Sequence, residues 1–243
     1  MSAQPLFELW VYLAATPLAG LTLTLVAYAV AWWCYLRTGM HPIANPVLIT
    51  VCLIVAVLWA SGTQYQTYFD GAQFVHFLLG PAVVGLAVPL AREWGSVRKL
   101  ALPIAGALIV GSLVALVATI VLAHALGATP ATLLSLAPKS VTAPIAMGIA
   151  QKIGGVPALA AVFAVTTGVI GAALGKYVLD ACRVSDWRAR GFALGMAAHG
   201  IGTARAFQVN AEAGTYASLA FALHGVIAAV LFPLGYALLV RSA

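Results

Sequence analysis

One short segment of an otherwise apolar sequence, "PKSVTAP" at 138–144, carries a cation and hydroxyl side chains between two prolines. A helix that begins at Ser140 or Thr142 would point unpaired backbone N–H groups and the positive end of its dipole toward a ligand. Lys139 would add a point charge. The segment therefore favours a small anion. The alternatives are that the hydroxyls only cap a helix and that the lysine snorkels to an interface.

A second segment, "HGIGTARAF" at 199–207, places another cation inside an apolar run. Glycines, Gly202 among them, weaken the helix, and Thr203 supplies a hydroxyl. A charge such as that of Arg205 costs about 2.5–3.5 kcal/mol at the centre of a membrane, so it needs a partner, water or a ligand. Its planar fork suits a carboxylate. Alternatively, Arg205 pairs with Glu212 or lies in a cytoplasmic loop, and Thr203 caps a helix.

Other polar or helix-breaking residues extend this predicted site. We expect Asn45, which precedes a proline, and the break at Gly80-Pro81 to bring the first half of the chain to the same place. His199 and His224 lie in apolar segments, where a histidine serves either as a proton-coupling group or as a hydrogen-bonded structural residue. Together with the two cationic segments, these residues predict a small carboxylate anion as the ligand.

Sequence motifs typical of enzymes are absent. No P-loop, His-Glu-x-x-His zinc helix, Rossmann glycine fingerprint or Cys-x-x-Cys occurs. A Ser-Lys hydrolase built from Ser140 and Lys139 is disfavoured, because adjacent residues point in different directions. The three cysteines show no metal-ligand spacing. We therefore predict that the protein is not an enzyme and binds neither a metal nor another cofactor.

The composition is that of an integral membrane protein. Of the 243 residues, 63% are hydrophobic and 7% are charged, whereas a soluble domain has about a quarter charged residues. Most apolar runs approach or exceed the roughly 20 residues of a spanning helix, and they do not alternate as barrel strands do. The sequence therefore predicts an all-α polytopic membrane protein with about seven spanning helices. The runs lie at 7–36, 46–60, 74–91, 100–126, 156–182, 191–210 and 214–240.

The net charge of +6 reports topology rather than nucleic-acid binding, because the cations fall in short loops. They are Arg37, the group Arg92, Arg98 and Lys99, and the group Arg183, Arg188 and Arg190. The positive-inside rule assigns these loops to the cytoplasm, so an even number of crossings separates the last two groups. The stretch 128–154 is interrupted by prolines and glycines, which predicts a re-entrant hairpin there. Non-helical backbone at membrane depth is tolerated only where it is buried or lines a cavity.

We interpret the whole chain, 1–243, as a single transmembrane domain with a possible internal repeat. An ungapped superposition sets Pro81 on Pro138 and Gly111 on Gly168. We place the repeat halves at about 40–127 and 128–210. The helices at 100–126 and 156–182 would then run in opposite directions, as an inverted repeat requires. Glycine-rich helix faces also permit close packing between helices, and we expect a homo-oligomer.

Several motifs along the chain are similar to those of one family. They are "NPVLIT" at 45–50, "LGPAVVGLAVPL" at 79–90, "PKSVTAPIA" at 138–146, "HGIGTARAF" at 199–207 and the later "LHGVIAAVLFPL". Together they resemble the LrgB/CidB family of membrane proteins, and the resemblance covers nearly the whole chain. The sequence departs from the commoner pattern at His224, where the resemblance leads us to expect an asparagine.

The resemblance implies two functions. Bacterial members are described as antiholin-like or holin-like modulators of murein hydrolase activity and autolysis, acting beside a small LrgA/CidA-like membrane protein. A related plastidal translocator carries glycolate and glycerate, and some bacterial relatives are linked to pyruvate uptake.

We therefore predict a secondary transporter of small monocarboxylates, of the glycolate, glycerate or pyruvate class, with broken helices at the midplane. It would span the bacterial cytoplasmic (inner) membrane several times, beside an LrgA-like partner. The alternative is a holin/antiholin-like modulator of murein hydrolase export and cell lysis.

Overall fold

The computed structural model describes residues 17–78, 81, 84–85 and 87–242. These residues are predominantly helical and contain no strand, which confirms the predicted all-α class. The beginning of the predicted run 7–36 and the glycine of the Gly80-Pro81 break lie outside them. The chain divides into two compact units, Met1–Gly85 and Leu86–Ala243.

The first unit contains three described helices, α1 (Pro17–Arg37), α2 (Pro46–Ser61) and α3 (Tyr65–Phe77). α1 and α3 approach closely at Gly20, where a side chain would run into the carbonyl oxygen of Tyr68. The hydroxyl groups of Thr24 and Tyr68 share a hydrogen bond of 2.8 Å. α2 ends at Gly62, whose positive φ of 66° closes the helix in the left-handed conformation that glycine adopts without strain.

The second unit contains the remaining described helices. They are α4 (Ala87–Arg92), α5 (Trp94–Lys99), α6 (Ala101–Ala125), α7 (Pro130–Leu136), α8 (Ala143–Ile153), α9 (Pro157–Ala181), α10 (Trp187–Val209) and α11 (Ala211–Ser242). One hydrophobic core cluster of this unit joins α8, α9, α11 and the turn that precedes α8. Its buried residues include Val141, Ile149, Ala160, Ala164 and Ala228.

Four of the described helices are long and apolar enough to cross a membrane. They are Leu18–Arg37, Ala101–Ala125, Pro157–Ala181 and Ala211–Ala237. Large apolar side chains point away from the protein on these helices, as on α6, where Leu102 is 85% exposed and Ile109 is 64% exposed. Such surfaces suit lipid, so the chain is a membrane protein. The predicted count of about seven spans is not confirmed by the described residues.

α7 and α8 form a helical hairpin over residues 130–153, named here the first hairpin. The end of α7 meets the residues that follow α8, since the Ser135 hydroxyl accepts a hydrogen bond from the Val156 N–H at 2.7 Å. Residues 137–140 between the helices form turns, with the Lys139 N–H donating to the Leu136 carbonyl at 3.0 Å. The chain therefore reverses within 128–154, and the re-entrant position predicted for this hairpin is not confirmed by the described residues.

α10 also reverses, where the sequence predicts a broken helix that resumes near Thr203 but not a reversal. His199 has φ 41° and ψ −133°, far from helical values. A Cβ atom on Gly202 would lie 2.7 Å from the Cβ of Ala198 and 2.5 Å from the Leu194 carbonyl oxygen. In a continuous helix, residues 194 and 202 would be about 12 Å apart. The interpretation of 191–210 as one crossing is therefore wrong.

We name α10 the second hairpin, with limbs 187–198 and 200–209 on either side of the turn. Glycines of α9 allow it to pack against the first limb, and a Cβ on Gly171 would lie 2.6 Å from that of Ala198. α11 packs along the same limb, where side chains at Gly191 and Gly195 would run into the backbone of Ala213 and Ala217. The second hairpin is thus enclosed by two long helices.

Candidate functional site

The turn of the first hairpin gathers the residues of the first cationic segment. The Lys139 ammonium donates to the Ser140 hydroxyl over 3.4 Å, and Ser140 is buried. Thr142 occupies the position that precedes α8, yet its side chain makes no capping hydrogen bond. The Thr142 side chain therefore does not cap α8, contrary to the capping alternative. One ammonium and two hydroxyls lie at the N-terminal end of an 11-residue helix, and the anion site there stays a prediction.

A buried polar pair lies beside this turn. The Nδ1 atom of His224 on α11 is 2.8 Å from the hydroxyl of Ser112 on α6, and both residues are buried. Together with Ser140 they supply the polar groups around a cavity of about 10 Å³, whose other walls are apolar. That volume is close to the room that one water molecule needs. The structure therefore brings Ser140 and His224 to one place.

Sequence reasoning missed Ser112. It lies in the middle of a long apolar helix, and its hydrogen-bond partner is 112 positions further along the chain. The only local signal was an isolated hydroxyl in an apolar run, which is also compatible with a bond to the helix's own backbone.

Lys139 also borders a wider groove of about 460 Å³ along α6. Leu122, Leu126 and Leu136 supply much of its apolar wall. The hydroxyl of Thr119 donates to the Ala115 carbonyl of the same helix at 2.6 Å, so it adds little polarity. Among the described residues that line the groove, Lys139 alone is charged. An anion that entered this groove would be attracted toward the turn of the first hairpin.

The turn of the second hairpin is held by hydrogen bonds within the protein. The Nε2–H of His199 donates to the Ala164 carbonyl on α9 at 2.9 Å. The Thr203 hydroxyl donates to the His199 carbonyl at 2.8 Å, and both residues are buried. A Cβ on Gly168 would lie 2.8 Å from the His199 ring. This geometry favours the structural alternative for His199, and it engages Thr203 in the turn rather than in a cap.

Gly202 and Arg205 lie on the second limb of the second hairpin. Gly202 is buried against the first limb, so its role in the structure is close packing. Arg205 is half-buried and its Nη1 donates to Gln208 Oε1 at 3.5 Å. It lies six residues, or about 9 Å of helix, beyond the turn at His199. Glu212 forms an ion pair with another cation, Arg188.

Asn45 belongs to the first unit, where it caps α2. Its Oδ1 accepts hydrogen bonds from the backbone N–H groups of Val47 at 2.9 Å and Leu48 at 3.3 Å. Asn45 is 7% exposed. These bonds satisfy donors that a helix start would otherwise leave unpaired, and they account for the asparagine without a ligand.

Charged side chains cluster where the second hairpin begins. Asp186 caps α10, and the hydrogen bond from the Ala189 N–H, followed by the contact with Arg188, lowers the pKa of its carboxyl group. Arg188 lies 3.2 Å from Asp186, and Arg190 lies 2.7 Å from Asp180. Most of these groups are exposed, so this end of the second unit suits water rather than hydrocarbon.

Comparison with known proteins supplies a family. The family model described as "LrgB-like family" matches residues 24–238. The "Uncharacterized protein YxaC" of Bacillus subtilis (strain 168) is 37% identical over 212 residues, covering 87% of this chain and 92% of the relative. The "Antiholin-like protein LrgB" of Bacillus mycoides (strain KBAB4) is 29% identical over 219 residues, covering 90% and 95%. No solved structure matches the chain.

Proposed function

The chain belongs to the LrgB-like family, and from this premise we propose that it transports a small monocarboxylate anion across the membrane. The observation that carries the proposal is the gathering of Lys139, Ser140 and His224 at the turn of a hairpin, between long apolar helices. Secondary transporters bind anions in this way, at interrupted helices near the middle of the bilayer.

In the proposed topology both hairpins are re-entrant. Ser112, the partner of His224, is near the midpoint of α6, and Gly168, which contacts His199, is near the midpoint of α9. Both hairpin turns would therefore reach the middle of the membrane. Backbone that departs from the helix is tolerated there because both turns are enclosed by other helices.

The two hairpins would enter from opposite sides. The positive-inside rule assigns the loop with Arg183, Arg188 and Arg190 to the cytoplasm, so the second hairpin enters from that side. α9 then carries the chain from the outer side, and the first hairpin enters from there. Because 191–210 does not cross in this arrangement, the seven predicted runs supply six crossings.

The chemistry of the proposed site is anion capture at the first hairpin. The ammonium of Lys139 would neutralise the carboxylate, and the hydroxyls of Ser140 and Thr142 would donate hydrogen bonds to the substrate. His224 borders the same cavity and bonds Ser112 there, and because an imidazole can carry a proton on either nitrogen it is the candidate for proton coupling. Arg205 would attract the anion along the second limb, nearer the cytoplasm.

A second candidate function is antiholin-like modulation of murein hydrolase activity and cell lysis. The observation that favours it is the name of the Bacillus mycoides relative, "Antiholin-like protein LrgB". In both cases we propose a multi-pass protein of the bacterial cytoplasmic membrane, a homo-oligomer that works beside an LrgA-like chain. Transport is preferred because two half-buried cations, Lys139 and Arg205, and two reversed helices are costly in a membrane and call for a ligand.

The experiment that separates the two functions is uptake into proteoliposomes. Purified protein, with and without an LrgA-like partner, would be tested with labelled glycolate, glycerate and pyruvate, and with labelled sucrose as a control for leakage. Selective uptake of one carboxylate that other monocarboxylates inhibit is expected. Equal entry of sucrose would contradict transport and support membrane permeabilisation, and absence of uptake in both preparations would leave modulation as the better proposal.

A further inference from the structure

The second unit repeats one order of elements. The first hairpin, 130–153, is followed directly by the long apolar helix α9, and the second hairpin, 187–209, is followed directly by the long apolar helix α11. Both long helices are candidates to span a membrane. The repeated element is thus a helical hairpin that leads into a spanning helix.

The centres of the two spanning helices are also similar in sequence. "FAVTTGVIGAAL" at 163–174 in α9 corresponds to "FALHGVIAAVL" at 221–231 in α11, with a single gap before the glycine. The tripeptide Gly-Val-Ile is common to both. Apolar sequences often agree by chance, so the match needs support from the contacts that these residues make.

The two spanning helices run in opposite directions. Along the first limb of the second hairpin, Gly175 and Gly171 of α9 contact Leu194 and Ala198 in turn, which is antiparallel packing. On α11, Ala213 and Ala217 contact Gly191 and Gly195 in turn, which is parallel packing with the same limb. α9 and α11 are therefore antiparallel to each other, as an inverted repeat requires.

The glycine shared by the two sequences contacts, in each spanning helix, the hairpin of the other repeat. Gly168 of α9 faces the turn of the second hairpin, where its Cβ would lie 2.8 Å from His199. Gly225 of α11 faces the first hairpin, where its Cβ would lie 3.4 Å from Ile145. Each spanning helix thus uses the same position of the shared sequence to hold the hairpin of the other repeat. Such reciprocity is the signature of a two-fold pseudosymmetric pair.

We propose that residues 130–181 and 187–237 form an inverted repeat whose hairpins are the outer and inner gates of one path for a small anion. The repeat itself rests on the contacts above, and its assignment as gates rests on the proposed transport function. The repeat predicted from the sequence, 40–127 with 128–210, divides the second unit elsewhere and stays a separate prediction. In the new repeat, opening one hairpin exposes the site to one side while the other stays packed.

The test of the repeat is labelling of single cysteines, which needs no transport activity. Cys34, Cys52 and Cys182 would first be replaced by serine, since all three are unpaired thiols. Cysteines at Ala128 and Ser242 should react with a membrane-impermeant maleimide only from the outer side, and those at Ala189 and Glu212 only from the cytoplasm. Labelling of Glu212→Cys from the outer side would overturn the repeat, because the second hairpin would then be a crossing.

The test of the gates uses the shared glycines. Gly168→Ala should speed labelling of Thr203→Cys from the cytoplasm only, because its Cβ would lie 2.8 Å from His199. A methyl group on Gly225 would only touch Ile145, so the larger change Gly225→Leu is used there, and it should speed labelling of Val141→Cys from the outer side only. Gly148→Ala and Gly148→Leu are the matched controls, because a Cβ on Gly148 meets open space. Faster labelling of both reporters from the same side would overturn the gate assignment. If labelling follows the expected sides but uptake is absent, the repeat stands and the proposed transport function fails.

Discussion

Arg188 and Glu212 form an ion pair, with Nε 3.6 Å from Oε1, although most of the second hairpin lies between them in the chain. Their side chains are 43% and 48% exposed. An exposed pair of this kind stabilises a fold by at most about 1 kcal/mol, so its importance is positional. It shows that the chain enters and leaves the second hairpin at the same end of the second unit.

This relationship predicts a specific cross-link. In the cysteine-free background, Arg188→Cys with Glu212→Cys should be joined by a short bismaleimide, seen as a mobility shift or as a linked peptide by mass spectrometry. Arg188→Cys with Ala128→Cys is the control pair, since those residues would lie on opposite sides of the membrane. Linkage of the control pair but not of the test pair would contradict the reversal at His199.

Close helix packing at Gly195 predicts a loss of stability on substitution. A methyl group there would run into the carbonyl of Ala217, which is backbone and cannot move aside cheaply. Overpacking of this kind costs about 1–3 kcal/mol, so Gly195→Ala should lower the thermal midpoint in detergent. Gly148→Ala meets open space and should leave the midpoint unchanged or raise it. Equal midpoints for the two variants would refute the close approach.

The pair of Ser112 and His224 predicts a second effect on stability. Ser112→Ala removes the partner of a buried ring nitrogen, which costs about 1–3 kcal/mol. Ser218→Ala is the matched control, because that buried hydroxyl only donates to the Gly214 carbonyl within its own helix. We expect a lower thermal midpoint for Ser112→Ala alone. If both variants have the same thermal midpoint, the hydrogen bond between α6 and α11 does not contribute to the stability of the fold.

The sequence predicts the chain reversal of the first hairpin, whose re-entrant position stays a prediction. In the second hairpin it predicts a broken helix but not the reversal, for a physical reason. Residues 128–154 contain three prolines, which cannot continue a helix and therefore mark the reversal locally. The reversal at His199 occurs in a run long enough to span a membrane, next to Gly200, which weakens a helix without ending it. The reversal at His199 depends on the packing of α9 and α11 against the limbs of the second hairpin, and a local sequence pattern does not show that packing.

The sequence also predicts only part of the candidate site, namely the residues that are close together in the chain. Lys139, Ser140 and Thr142 are neighbours in sequence, so their meeting at one turn follows from the local break. Ser112 and His224 meet only because α6 and α11 pack together, so their pairing was not visible. Asn45 was placed in the site because it precedes a proline, and the same feature describes the N-cap that the structure gives it.

The partner of Glu212 changes the prediction for Arg205. The sequence left open that Arg205 only neutralises Glu212, in which case removing both charges would restore function. Because Glu212 pairs with Arg188, we expect Arg205→Ala to reduce uptake and Arg205→Ala with Glu212→Ala to reduce it equally. Arg205→Lys should also lose uptake, since it keeps the charge but not the planar fork. Recovery of uptake in the double variant would return Arg205 to a structural role.

Lys139 offers the sharpest test of the carboxylate site, because the same hairpin carries a matched cation. Lys139 lies at the turn beside Ser140, whereas Lys152 is exposed near the end of α8. A hydrogen bond to a charged group contributes about 1.5–3 kcal/mol, so Lys139→Ala should weaken the apparent affinity for the transported carboxylate roughly 10-fold to 150-fold. Lys152→Ala removes the same charge from the protein and should leave the affinity unchanged. Uptake measured over a range of substrate concentrations separates the two variants, and equal losses in both would show that net charge, rather than a site at the turn, attracts the anion.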